Sequence, residues 1–434
     1  MDGAGLLRPA PVTRTKGFFD RMAIAETAPL LTIDGVPLKV RLARAERSRR
    51  LKAVALVLPL FLFVVITFLF PLFVMTFKSV VNEETFGRLD RTHAALADWD
   101  GQALPDEPAF AALAEDLKAA QEQRSVGEIA KRVNSEYSGA MSKFKGIARK
   151  VEAASSGPYK ELFLATDKVW GDVALWRIIK SVSARYTSYY WLAAVDLKQG
   201  PDGIERVPAD QAVFLDVYAR TFWIAGLVTV LTLLLGFPVA YLLATQPPAR
   251  ANLLMIFVML PFWTSLLVRT TAWFVLLRSE GPLNDLLEIL VNNRFEMIFT
   301  RFGTIVAMTH IQLPFTLLPI YSVMKTIPTS HVRAARSLGA GPFLAFWKVY
   351  FPQTVPGIAA GCLLTFILCL GYYITPALVG GPRDQMVSYY VAYYMNNIIN
   401  FGQAAALGGM LLIITMVLYW AYNRLVGIDK MKLG

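Results

Sequence analysis

The sequence predicts an all-α integral membrane protein with six transmembrane helices and a mostly helical extracytoplasmic insert. Three observations carry this. Of 434 residues, 55% are hydrophobic and only 17% charged, with a mean hydropathy of +0.45; a soluble domain carries about 25% charged residues. Six apolar runs approach or exceed the ~20 residues that a bilayer crossing needs. Between the first two runs, residues 78–212 are instead dense in charges of both signs.

The first run, 53–77, reads AVALVLPLFLFVVITFLFPLFVMTF without a charge. It is too long for a cleaved leader, and no small-x-small cleavage site follows, so it reads as a signal-anchor. The next runs fall at about 213–244, 252–277, 303–325, 354–380 and 403–426. Before the first lies RLARAERSRRLK, with Arg41, Arg44, Arg47, Arg49, Arg50 and Lys52. Basic flanks stay in the cytoplasm, so the N-terminal segment 1–52 is expected there. Six crossings return the C-terminus to the same side, as Arg424, Lys430 and Lys432 agree. Loop 326–353 is then cytoplasmic too, carrying Arg333, Arg336 and Lys348 and no acid.

The interval 78–212 falls outside by this count; long loops cross regardless of charge. Ile129, Val133, Tyr137, Met141, Phe144 and Ile147 recur near helical period. The insert has no cysteine. It is either a spacer or a docking surface for a soluble partner or a sister subunit. The two cysteines of the chain, Cys362 and Cys369, would sit about 10 Å apart along one helix, too far to bridge.

The net charge of +11 would suggest nucleic acid in a soluble protein. In a membrane protein it holds loops in the cytoplasm, and no nucleic-acid partner is expected. No G-x-x-x-x-G-K-[ST], H-E-x-x-H, G-x-S-x-G or metal-spaced Cys pair occurs. His93, His310 and His331 stand without partner clusters. The sequence therefore predicts no enzyme, cofactor, metal or catalytic residue, and a chain that moves a solute.

Loop 326–353 contains RAARSLGAGPFLAFWKVYFPQTVPG. The Pro-Thr-Ser before it suits a helix start, and Gly339 permits a bend. FLAFWKVY resumes a helix, with Phe343, Phe346, Trp347 and Tyr350 on one face; Pro352 and Pro356 are expected to end it before span five. GIAAG at 357–361 reads as close helix packing.

This loop resembles the EAA loop of permease subunits in bacterial ABC importers, whose pattern is E-A-A, three residues, Gly, nine residues, Ile, one residue, Leu-Pro. Ala334, Ala335, Gly339 and Pro352 match; Val349 and Phe351 replace the aliphatic pair, and Arg333 stands where the family has Glu. LLLGFPVAYLLA, LPFWTSLLVRTTAWFVLL with GPLNDLL, and ITPALVGGPRDQMVSYYVAYY resemble the spermidine/putrescine type. The likeness covers roughly 213–430 and the first span. It implies the six-helix ABC importer permease fold, a multi-pass place in a bacterial inner membrane and a permease core at 213–430. It also implies three partners: a second permease subunit, an ATP-binding subunit dimer and a periplasmic solute-binding protein. ATPase coupling would fall to Arg333, Ala334, Ala335, Arg336, Gly339, Phe343 and Pro352.

Polar groups inside spans are costly and often functional. Candidates for the path are Trp263, Thr264, Ser265, Arg269, Thr271, His310, Gln312, Tyr372, Tyr373 and Thr375. Counted along an unbroken third span, Arg269 lies about 25 Å in, within reach of the outer surface. The apolar centres of spans three to six hold no Asp or Glu, which weighs against a bare polycation. The expected cargo is a small polar solute, a polyamine or a related compound, with an amino-acid derivative, an opine or an anion as the alternative. An ion-driven secondary transporter would call for internal repeats and intramembrane acids, and neither stands out. A receptor or scaffold working through 78–212 would leave the loop pattern unexplained.

Overall fold

The computed structural model describes residues 38–426 other than 83, 155, 156, 201 and 202. The basic segment up to residue 37, and Lys430 and Lys432, lie outside the described residues. The chain forms two units, Met1–Phe73 and Val74–Gly434.

The first unit is helical from Leu38. Helix α1, Leu38–Val64, passes through a widened π turn, Val65–Leu69, into α2, Phe70–Lys78. Pro71 follows the π turn by two residues; an inserted residue shifts the ladder where a proline cannot donate. Leu56, Phe61, Phe63, Ile66 and Phe68 are all exposed, as suits a helix whose solvent is lipid.

The insert is a compact helical body. It contains α3 (Asp90–Ala95), α4 (Glu107–Glu122), α5 (Val126–Glu136), α6 (Ala140–Ala153), α7 (Tyr159–Thr166), α8 (Val173–Ser183) and α9 (Tyr189–Ala193). The expected single run over 129–147 is two helices, because Gly139 adopts φ +86° and breaks it. A short hairpin follows, β1 (Leu197–Gly200) antiparallel to β2 (Gly203–Arg206). Phe110, Phe144, Phe163, Trp170 and Trp176 interlock in a core of its own, which holds it without disulfides.

The bundle comprises α10 (Phe214–Thr245), α11 (Pro248–Met259), α12 (Leu266–Leu276), α13 (Pro282–Val291), α14 (Arg301–Thr326), α15 (Thr329–Ser337), α16 (Pro342–Ala345), α17 (Phe351–Leu370), α18 (Ile374–Val379), α19 (Val387–Asn396) and α20 (Phe401–Val426). Among the described residues five helices are long and apolar enough to cross a membrane, and six if the bent pair α11–α12 counts as one. Spans two, four and six fall within two residues of the expected bounds.

Two spans differ from expectation. The third is broken: α11 and α12 meet at 95°, because Leu260–Trp263 tightens into a 3-10 turn and Ser265 caps a new helix through Val268 N–H at 3.2 Å. The depth counted for Arg269 along a straight helix therefore does not hold. The fifth begins twelve residues early, at Pro342 rather than 354. Pro352 and Pro356 do not end a helix. A π turn at Phe346–Tyr350 absorbs Pro352, with Phe351 N–H donating to Phe346 O, and the helix runs on to Leu370.

Small residues and threonines bring the spans together. A Cβ at Gly361 would lie 2.5 Å from Thr316 O, and one at Gly357 2.9 Å from Val323 Cβ, so α17 lies directly on α14. Thr316 Oγ1 donates to Thr232 Oγ1 at 2.8 Å and sits 2.6 Å from Thr365 Oγ1, joining α10, α14 and α17.

The insert sits on one end of this bundle. Tyr190 and Trp191 pack over Gly402 and Gly409 of α20, and Trp191 Nε1 donates to Ser79 Oγ at 2.9 Å. Asp196 accepts from Val213, Phe214 and Leu215 N–H at 2.7–3.0 Å, capping α10. The other end of α10 packs with Met324, Phe346 and Tyr350, where the 326–353 loop emerges.

Candidate functional site: an exposed loop tip and a polar cluster in the bundle

The loop is a helix, a turn and the start of span five. Helix α15 ends in a Schellman closure: Ala340 N–H donates to Ala335 O at 3.1 Å, and Gly339 N–H to Arg336 O at 3.0 Å. That closure needs a left-handed residue, and Gly339 supplies it at φ +91°. Nothing stands within 4 Å of where its Cβ would be, so the need is conformational rather than steric. Val332 packs inward with the cluster around Tyr350, and His331 Nδ1 lies 3.0 Å from Gln353 Oε1. The loop is thereby held at its base.

Its tip is bare. Leu338 is 90% exposed and Phe343 76%, with Leu344 and Trp347 also exposed. Arg333, Ala334 and Arg336 are exposed, Ala335 is half-buried, and Pro352 is exposed beyond the π turn. Arg333 has no ion pair among the described residues; its Nη2 reaches Thr329 Oγ1 at 3.5 Å. Of the four aromatics expected on one face, Phe343 and Trp347 point out, while Phe346 is half-buried and Tyr350 buried. The widened π turn splits the face. Leu338 was not anticipated, although a large apolar residue just before a C-cap glycine was the available signal.

Within the bundle the candidates divide. Trp273 Nε1 donates to His310 Nδ1 at 3.1 Å, and Thr270 Oγ1 lies 3.1 Å from Thr375 Oγ1, so α12 is tied to both α14 and α18. Arg269 acts electrostatically on both His310 and Tyr372. Gln312 is fully buried beside Cys369. Trp263 is 73% exposed, Thr264 and Thr271 are exposed, and Tyr373 faces out; Thr264 Oγ1 donates to Pro261 O at 2.8 Å. His310 is exposed as these four are, Arg269 and Tyr372 are half-buried, and Thr270, Gln312 and Thr375 are buried. Thr270 and Trp273 were missed because hydroxyl and indole groups in a membrane helix carry no distinguishing sequence mark.

Residues 219–427 match the family described as binding-protein-dependent transport system inner membrane component. The spermidine/putrescine transport system permease protein PotB of Haemophilus influenzae is 31% identical over 223 residues, 49% of this chain and 78% of the relative. That coverage decides the assignment. The chain belongs to the binding-protein-dependent transport system inner membrane component family. PotB of Escherichia coli is 30% identical, across 49% of this chain and 80% of the relative. The inner membrane ABC transporter permease protein YdcU of Escherichia coli is 32% identical, across 49% and 72%. Among solved structures, a bacterial alginate ABC transporter bound to its pentasaccharide-loaded periplasmic protein aligns at TM-score 0.42 and 16% identity, over 49% of this chain and 77% of that one. The chain is thus a transmembrane permease subunit of an ABC importer, multi-pass in the inner membrane. Residues 78–212 lie outside the family match.

Proposed function

We propose that this permease pairs with a second, similar permease and imports a small polar solute, a polyamine or a related compound, powered by a separate ATPase dimer. Loop 326–353 is the coupling element, with Arg333, Ala334, Ala335, Arg336, Gly339, Phe343 and Pro352 at its contact surface. The observation that carries the reading is the loop's form: a base pinned by Val332 and a tip that exposes Leu338 and Phe343 to water. A cytoplasmic loop has no lipid to cover such groups, and a helix-in-groove contact buries them. Solute class rests on the PotB relatives, which are spermidine/putrescine transport permeases.

In this reading the loop end of the bundle and both termini are cytoplasmic, and the insert stands outside, where a solute-binding protein arrives. The bundle core is 213–430, the first span 53–77 and the N-terminal segment 1–52. Possible path residues are Trp263, Thr264, Arg269, His310, Gln312, Tyr372, Tyr373 and Thr375. ATP hydrolysis belongs to the partner. Purification of the tagged chain should bring down an ATPase whose hydrolysis rises when the loaded binding protein is added. Transport by this chain alone in liposomes, without ATP, would overturn the reading.

A further inference from the structure

Arg269 lies in the second turn of α12, after the break in span three. Its Nε and Nη1 are buried and donate to nothing, and its side chain has no ion pair or ring contact among the described residues. Spans three to six contain no Asp or Glu in their helices. A half-buried guanidinium with two buried nitrogens and no counter-charge is expensive and is kept where it has a task.

Its surroundings are neutral and polar. His310 accepts from Trp273 on Nδ1, which leaves Nε2 as the atom that can carry a proton. Tyr372 and His310 both lie in the electrostatic field of the guanidinium. Across α14 from the exposed His310, on its buried face, the Gln312 amide has no nitrogen or oxygen partner and lies against the Cys369 thiol, and the Thr309 hydroxyl has no partner; both residues are at least nine-tenths buried. Thr309 and Gln312 stand three apart, on one helix face. The positive end of the α12 dipole opens at Ser265, next to this group. A cluster with one fixed positive charge, several spare donors and no carboxylate is built to receive an anionic group.

We propose that Arg269, with His310 and Tyr372 in its electrostatic field, binds an anionic group of the transported solute, so that the cargo carries a carboxylate, alone or beside an amine. This rests on the permease reading and, within its substrate class, favours a carboxylate-bearing related compound over a polyamine itself: a bare dication would meet a like charge here.

Three solutes with one four-carbon skeleton separate the cases: putrescine with two amines, 4-aminobutyrate with one amine and one carboxylate, and succinate with two carboxylates. Their uptake would be measured in proteoliposomes holding the whole transporter with its binding protein, for wild type, Arg269→Gln and Arg269→Lys. A carboxylate-bearing member should be carried. Arg269→Gln should lower its uptake about tenfold or more, the loss of one charge-assisted contact, while the subunits still co-elute; Arg269→Lys should recover part. Uptake of putrescine alone would overturn the proposal and point to a carboxylate from the sister subunit pairing with Arg269. Equal uptake by wild type and Arg269→Gln would overturn it as well. ATP-independent uptake would instead remove the permease reading beneath it.

Discussion

Two glycines show how differently one residue type can be constrained. Gly361 has no room: a Cβ would stand 2.5 Å from Thr316 O, a backbone atom that cannot swing away. Gly339 has ample room but an unusual φ of +91°. Gly361→Leu should therefore separate α17 from α14 and lower folded yield, at a cost of about 1–3 kcal/mol or more. Gly339→Ala should cost only about 1–2 kcal/mol of local strain and leave the bundle intact, its effect confined to coupling. Thermal melting of the two variants in detergent checks the contrast; equal losses would contradict it. The GIAAG pattern was readable as close packing in the sequence, because small residues four apart in an apolar run have few other uses. The unpaired state of Arg269 was not readable, since it depends on which helices converge there.

At the scale of the element, the insert and its seat turn on Arg132. Its side chain is 1% exposed, pairs with Glu136 at 2.7 Å, donates to Asn82 Oδ1 at 3.2 Å and stacks 4.2 Å from the Tyr189 ring centre. Neighbouring Lys131 donates to Ile398 O at 3.0 Å, joining α5 to the loop before α20. Removing Arg132 leaves Glu136 buried and alone. Arg132→Met should cost about 3–5 kcal/mol, and the double variant with Glu136→Gln should regain most of it. Protease resistance of the insert in the full chain reads this directly; an undisturbed single variant would deny the network its role. Proline misled the reading at span five. Pro352 follows a π turn by two residues, as Pro71 does in the first span, which was read through correctly; the expected stop is a widened turn within a continuing helix. The reverse error fell at span three. Its composition is the same on both sides of the break, and only Pro261 and the capping Ser265 mark the bend.

For the whole molecule, the spans were legible because lipid demands long apolar runs and little else. The insert's helical character was legible from its periodicity, but its closed aromatic core was not, because Phe110, Phe163, Trp170 and Trp176 meet across more than sixty residues of chain. Architecturally, an insert with its own core sits on one end of the bundle and an exposed apolar tip projects from the other. Threonine and glycine contacts among α10, α14 and α17 join the two ends. That arrangement suits a subunit that receives solute on one side and force on the other. The tip makes the central claim testable. Binding-protein-stimulated ATP hydrolysis should be measured on the reconstituted complex for wild type and for Leu338→Ser with Phe343→Ser. Loss of two buried anchors should weaken ATPase docking about tenfold or more and abolish stimulation, while the bundle keeps its melting temperature. Undiminished stimulation in the double variant would contradict coupling through this loop.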